Sequence, residues 1–327
     1  MNVFASPDQA IVAVAFVALT GIALYAIFGG ADFGGGVWDM LASGPRRSEQ
    51  QERIGHVIGP VWETNHVWLI FAIVTLFTCF PPAFAAISTG LFVPLTFVLV
   101  GIILRGAAYA FRTGATANTT LGRLWGHVFG IASGIAPFFF GAAVGGLTLG
   151  GYRWSAPFAL VIGVLALALC AQLAAVFLTL ETQGQLRADF RLRGIVATLV
   201  LAGVGAVALG VAALSAPHTF AALIAPQSRP GIGVAMILGF VVLGALIGQR
   251  FGIARIAVAA ETVAVLVGWY LSQAPYLVPG EYTVSGAAAP TAVLHAFLWL
   301  VAIGSALLIP SLVLLFRIFR SEPHQVT

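Results

Sequence analysis

The chain has 327 residues, of which 60% are hydrophobic and only 8% charged, with a mean hydropathy of +1.02. Soluble domains carry about 25% charged residues, so a polytopic membrane protein is the class that fits. The net charge of +4 and pI near 9.5 do not point to nucleic acid, because the arginines fall in short loops between apolar runs. Cys79 and Cys170 are too few and too far apart for a disulfide scaffold or a zinc site.

Apolar runs of about twenty residues predict an all-α fold, one transmembrane domain over residues 1–327. Nine spans are expected, near 9–42, 57–79, 83–111, 121–149, 155–182, 193–214, 231–248, 253–272 and 290–318. No cleavable signal peptide is expected, since the run from Ala10 follows no basic stretch and is long enough to span. The first run is too long for one upright span. Gly29, Gly30, Gly34, Gly35 and Gly36 predict a bend or a tight contact near its end, and Gly30 and Gly34 have the GxxxG spacing of helix packing. Asp32 lies among them, suited either to structural ion pairing or to a proton path.

Span two opens on Trp62-Glu63-Thr64-Asn65-His66-Val67-Trp68. A carboxylate inside a span costs about 2.5–3.5 kcal/mol on insertion scales, so Glu63 reads as functional, most often in proton or ion movement. His66 lies at i+3 on its face. Trp62 and Trp68 suit an interfacial belt. Pro81-Pro82 predicts a short turn into span three, which carries Arg105 near its end. A buried arginine requires a carboxylate, here Asp32 or Glu63. Further on, His127 opens span four, Glu181 ends span five, Glu261 enters span eight and His295 begins span nine. His66, His127 and His295 are haem-ligand candidates in principle. No two share a helix at the spacing of a di-haem bundle, so no metal or cofactor ligand is assigned to this chain.

All fifteen basic residues are arginine. Arg46, Arg47, Arg53, Arg112, Arg123, Arg187, Arg191, Arg193, Arg250, Arg255, Arg317 and Arg320 fall on one side of the nine-span layout. Arg153 and Arg229 fall on the other. The positive-inside rule therefore predicts a periplasmic N-terminus and a cytoplasmic C-terminus. With a helix starting at residue 57, Glu63 would lie roughly 9 Å along it, at 1.5 Å per residue. Asp32, Glu63, His66, Arg105, His127 and Glu261 then gather in the cytoplasmic half, and the outer half holds little beyond His295. A one-sided chain of carboxylates and imidazoles suits proton uptake better than a through-pore.

At these residues the chain resembles subunit II of cytochrome bd-type quinol oxidases. Gly30-Ala31-Asp32-Phe33-Gly34-Gly35-Gly36 is similar to that subunit's Gly-x-Asp-x-Gly-x-Gly element. Pro60-Val61-Trp62-Glu63-Thr64-Asn65-His66-Val67-Trp68-Leu69-Ile70 is similar to its Pro-x-Trp-(Asp/Glu)-x-Asn-x-Val-Trp-Leu-Ile element. Pro81-Pro82, Arg105, Thr182-Gln183-Gly184 and the nine-span layout also match, and Glu63 with His66 resembles the shorter, cyanide-insensitive type. The resemblance covers the whole chain. It implies a terminal respiratory complex in the bacterial cytoplasmic membrane that oxidises quinol and reduces dioxygen to water. Haem b and haem d would sit on the partner subunit I, with small accessory subunits in some members. This chain would support that partner and supply a cytoplasmic proton-access path through Glu63, Asp32 and His66, with a structural quinone in some members. Two other readings stay open: a secondary transporter or channel using Asp32 and Glu63, and a purely structural assembly subunit.

Overall fold

The computed structural model describes residues 7–58, 62–114 and 120–320. Within helices, the side chains of Trp62, Glu63 and Thr64 lie outside the described set, as do residues 59–61 of the span-two motif. The elements are α1 (Pro7–Met40), α2 (Arg47–Ile58), α3 (Trp62–Cys79), α4 (Pro81–Gly90), α5 (Phe92–Gly114) and α6 (Thr120–Thr148). They continue with α7 (Pro157–Glu181), α8 (Gly184–Ser215), α9 (Pro217–Leu223), α10 (Arg229–Ile247) and α11 (Phe251–Gln273). An antiparallel hairpin, β1 (Tyr276–Val278) and β2 (Tyr282–Thr283), precedes α12 (Thr291–Arg320). Among the described residues eight helices are long and apolar enough to cross a membrane. The pair Asn65–Cys79 and Pro81–Gly90, bent by 120°, makes a ninth if counted as one span.

Several expected boundaries shift for physical reasons. The run read as one span over 83–111 is two helices, because the chain turns again at Leu91 between α4 and α5. The two prolines start α4, where their missing N–H groups cost nothing. The span expected from 57 begins instead at Trp62, so Glu63 sits in the first turn of α3 rather than 9 Å along a helix. The polar stretch before it forms α2, held by Gln50 and Ile54, which lie one turn apart on its buried side. Helix α8 starts at Gly184, nine residues before the apolar run read as a span, so its arginines lie on a helical extension. The connections near 215–230 and 273–289 hold α9 and the hairpin.

The glycines of α1 produce a tight contact, and the helix runs unbroken through them. A Cβ on Gly34 would lie 1.9 Å from the Cys170 carbonyl oxygen of α7. Only glycine allows that backbone approach. Helix α1 thereby becomes the centre of the fold, packed on α3, α6 and α7, with α5 lying on α6. A second group closes in a ring, α7 on α8, α8 on α10, α10 on α11 and α11 on α7. At one end, Ala10, Val14, Phe80, Ala83, Leu147, Val278 and Leu294 form an apolar core that includes the hairpin and α4. At the other end the arginines tie the loops together. Arg46 grips both oxygens of Asp189 at 2.8 and 2.6 Å, Arg53 donates to the Glu181 carbonyl at 2.7 Å, and Arg191 donates to that of Leu246 at 2.7 Å.

Candidate functional site

Asp32 and Arg105 meet in the interior between α1, α5 and α6. Arg105 donates to the two carboxylate oxygens of Asp32 at 2.8 and 2.6 Å, and to the Asp32 carbonyl at 3.2 Å. The two side chains are 2% and 1% exposed, so water contributes almost nothing to solvating either charge. The guanidinium is satisfied by protein alone: its Nε donates to Ser133 Oγ at 3.0 Å, and its carbon lies 5.2 Å from the Phe33 ring centre and 4.9 Å from that of Phe129. Such planar, bidentate geometry is what makes a buried ion pair tolerable. Ser133 in turn donates to the Phe129 carbonyl one turn back. Gly36 makes room for it, since a Cβ there would lie 2.0 Å from Ser133 Oγ.

Helix α3 closes the third side. Asn65 is buried, donates to the Phe28 carbonyl at 3.3 Å and lies within hydrogen-bonding reach of the Asp32 carboxylate. His66 is half-buried, with its ring 6.1 Å from those of both Tyr25 and Phe33. Trp68 packs on the cluster of Tyr25, Phe33 and Ala136 and so helps wall the site, a role not read from its position near a span end. Glu63 lies one turn before His66 on the same helix; its side chain is outside the described residues. The structure thus brings Asp32, Arg105, Asn65 and His66 together and chooses Asp32 as the partner of Arg105. Of the motif glycines, Gly34 and Gly36 are the close-contact positions, while Gly30 faces Leu173 and Cys170 more loosely.

The other candidates lie elsewhere. His127 is exposed, with Nδ1 2.7 Å from the Arg123 carbonyl of its own helix. His295 belongs to α12 at the opposite end. With His66 on α3, the three histidines come from three helices. No group of three or more His, Cys, Asp or Glu could hold a metal ion among the described residues. Glu261 is buried in the second helix group, where Gln172 Nε2 donates to its Oε2 at 3.0 Å and to Thr198 Oγ1 at 3.2 Å. Arg46 and Arg53 lie in the end network described above.

Three features were missed in the sequence. Asp39 pairs with Arg112 at 2.7 and 3.0 Å, seven residues from Asp32 on α1 and from Arg105 on α5. Phe129 and Ser133 of α6 complete the surroundings of Arg105. Tyr25 extends the α1 stripe inward. The repeated spacing of seven, two helical turns, was the available signal.

The sequence matches the profile of the family described as cytochrome bd terminal oxidase subunit II over residues 10–319. It is 30% identical over 202 residues to "Cytochrome bd ubiquinol oxidase subunit 2" of Bacillus subtilis, covering 58% of each chain. It is 29% identical over 201 residues to "Cytochrome bd-I ubiquinol oxidase subunit 2" of Escherichia coli, covering 56% of this chain and 52% of that one. The aligned stretches thus span little more than half the length of these curated relatives. The fold is similar to a chain in the structure of bd oxidase from Geobacillus thermodenitrificans. The TM-score is 0.74, identity is 21%, and the match covers 95% of this chain and 98% of that one.

Proposed function

Because the chain belongs to the cytochrome bd terminal oxidase subunit II family, we propose that it is the second subunit of a bacterial quinol:dioxygen oxidoreductase and gives protons a way inward from the cytoplasm. In this reading it sits in the cytoplasmic membrane beside a haem-bearing subunit I, which holds haem b and haem d and oxidises the quinol. This chain is not catalytic alone. It carries the fixed charges and polar groups of one wall. A structural quinone and small accessory subunits belong to the same proposal.

The observation that carries it is the bidentate Asp32–Arg105 pair, sealed between helices that also present His66 and, one turn nearer the arginine-rich end, Glu63. The arginine distribution supports a cytoplasmic position for that end. From Glu63 in the first turn of α3, a proton passing inward reaches His66 after one turn, then the Asn65 and Asp32 layer. Asp32 acts there as a fixed anion that offsets Arg105 and so keeps the route from being repelled by a bare guanidinium. A carboxylate with both oxygens taken by an arginine is a poor cation site, which weighs against ion transport through Asp32.

Membranes from cells with and without this chain provide the test. With it, haem spectra and quinol-driven oxygen uptake are expected together. Without it, the partner should lose haem, oxygen uptake or both. Stoichiometric haem on the isolated chain would overturn the assignment of the haems to the partner. Tags near Arg47 and at the C-terminus should report cytoplasm, and one at Ser6 the periplasm. A cytoplasmic N-terminus would invert the route.

A further inference from the structure

The Asp32–Arg105 pair has a second copy of itself nearer the arginine-rich end. Asp39 and Arg112 repeat it seven residues on along both helices. Seven residues are about 10.5 Å along a helix, at 1.5 Å per residue. The Phe129 ring centre is 4.9 Å from the Arg105 guanidinium carbon and 5.8 Å from that of Arg112. The one ring therefore packs against both guanidinium groups. Phe129 is buried and wedged there by Gly36, on which a Cβ would come within 3.2 Å of the ring.

The two pairs differ in their access to solvent. The Arg112 side chain is 27% exposed and that of Asp39 only 2%, so the outer pair has a wet cation and a dry anion. The inner pair is dry on both sides. Asp39 is faced by Arg112 from α5 and by Arg47 from α2, and its carbonyl accepts from Gln51 at 3.0 Å. Going inward along this stripe there is a half-buried cation, a buried carboxylate and then the sealed pair, with the Phe129 ring against both guanidinium groups. Solvent reaches the Arg112 end of this stripe, and the Phe129 ring contacts the guanidinium of each pair.

Resting on the proton-access reading above, we propose that Asp39 and Arg112 form a second mouth of the proton route, separate from Glu63, and that Phe129 is the barrier across it. Displacement of the ring would join water at Asp39 to the Asp32–Arg105 pair. The two mouths converge there from different directions, one along α3 and one between α1, α5 and α6.

The assembled complex tests this with the charge-neutral double variant Asp39→Asn/Arg112→Gln. Haem content should stay normal while oxygen uptake falls about three-fold or more, with a larger solvent deuterium isotope effect, as proton delivery becomes limiting. Asp39→Glu/Arg112→Lys keeps both charges and should restore most of the rate. A merely structural pair would move neither the isotope effect nor its rescue. Normal uptake in the double variant, beside slow uptake in Glu63→Gln, overturns the second mouth and leaves the first reading intact. Slow uptake in the double variant beside normal uptake in Glu63→Gln makes this mouth the main one and removes Glu63 from the route. Normal rates in both end both proposals. If the double variant does not assemble, the barrier is read directly. The thiol of Ser133→Cys, with Cys79→Ala and Cys170→Ala, should react with aqueous methanethiosulfonate ethylammonium about ten-fold faster when Phe129→Ala is added, because opening no longer limits access. Equal rates with and without Phe129→Ala overturn the barrier.

Discussion

Asp32 lies between α1, α5 and α6 with a guanidinium across both of its oxygens, whereas Glu261 lies between α7, α10 and α11 with one amide nitrogen. Both carboxylates are buried, at 3% and 6% exposure. The first centre is a charge pair cradled by Ser133, Asn65 and two aromatic rings. The second is a short string of hydrogen bonds, Glu261 to Gln172 to Thr198, ending at the Gly194 carbonyl. No ion pair to Glu261 occurs among the described residues. A fully buried ion pair sits where the family motif sits, beside α3, and Glu261 has no such partner among the described residues. Changes at the two centres should therefore differ more than their similar burial suggests.

The largest effect is expected at Arg105. Arg105→Leu leaves Asp32 ionised and unpaired, a loss of about 3–5 kcal/mol, visible as poor assembly or a large fall in thermal stability of the complex. Adding Asp32→Asn should recover much of that loss, because removing both charges costs less than stranding one. Additive losses would mean that the pair does not act as a unit. Glycine contacts come next. Gly34→Ala drives a methyl into the Cys170 carbonyl, within 1.9 Å, and backbone cannot yield as a side chain can. A loss of about 1–3 kcal/mol is expected from such overpacking. In the second group, Gly239→Ala meets the tip of Glu261 at 3.0 Å, which can turn aside. Its effect should be clearly smaller, and equal losses would remove the contrast.

Glu261→Gln should cost less than about 1 kcal/mol, since an amide fills the same volume and no cation is left behind. A loss as large as that of Arg105→Leu would show an unrecognised charged partner. The smallest change is outside the spans, at Tyr152. Burial first, and then its 2.7 Å bond to Glu281, push the phenol up to about 12. Tyr152→Phe removes that one bond and should lower stability by roughly 0.5–1 kcal/mol, leaving oxygen uptake unchanged.

Much of this was legible in the sequence because the membrane makes it so. Hydropathy marks where α1, α6, α7, α10, α11 and α12 lie, and a lone buried Arg105 had to meet a carboxylate. Its choice of Asp32 over Glu63 depends on which face of α5 turns to α1, which hydropathy does not encode. Asp39 and Arg112 were passed over because each lies near a helix end, where charge is ordinary. Helix α2 and the long N-terminal extension of α8 are polar, so an apolar-run reading leaves them as loops. The break at Leu91 was hidden because α4 and α5 are both apolar. Trp68 looked like an interfacial residue, yet it packs on Tyr25 and Phe33.

In the proposed function, protons reach the oxygen-reducing partner through this chain, starting at the first turn of α3. Glu63→Gln keeps the side-chain volume and removes the exchangeable acid. Oxygen uptake by the assembled complex, normalised to haem content and followed across pH, is the direct measurement. Normal haem with a clearly lower rate is expected, and partial activity in Glu63→Asp. Full turnover by Glu63→Gln at every pH would contradict it and leave Glu63 a structural residue.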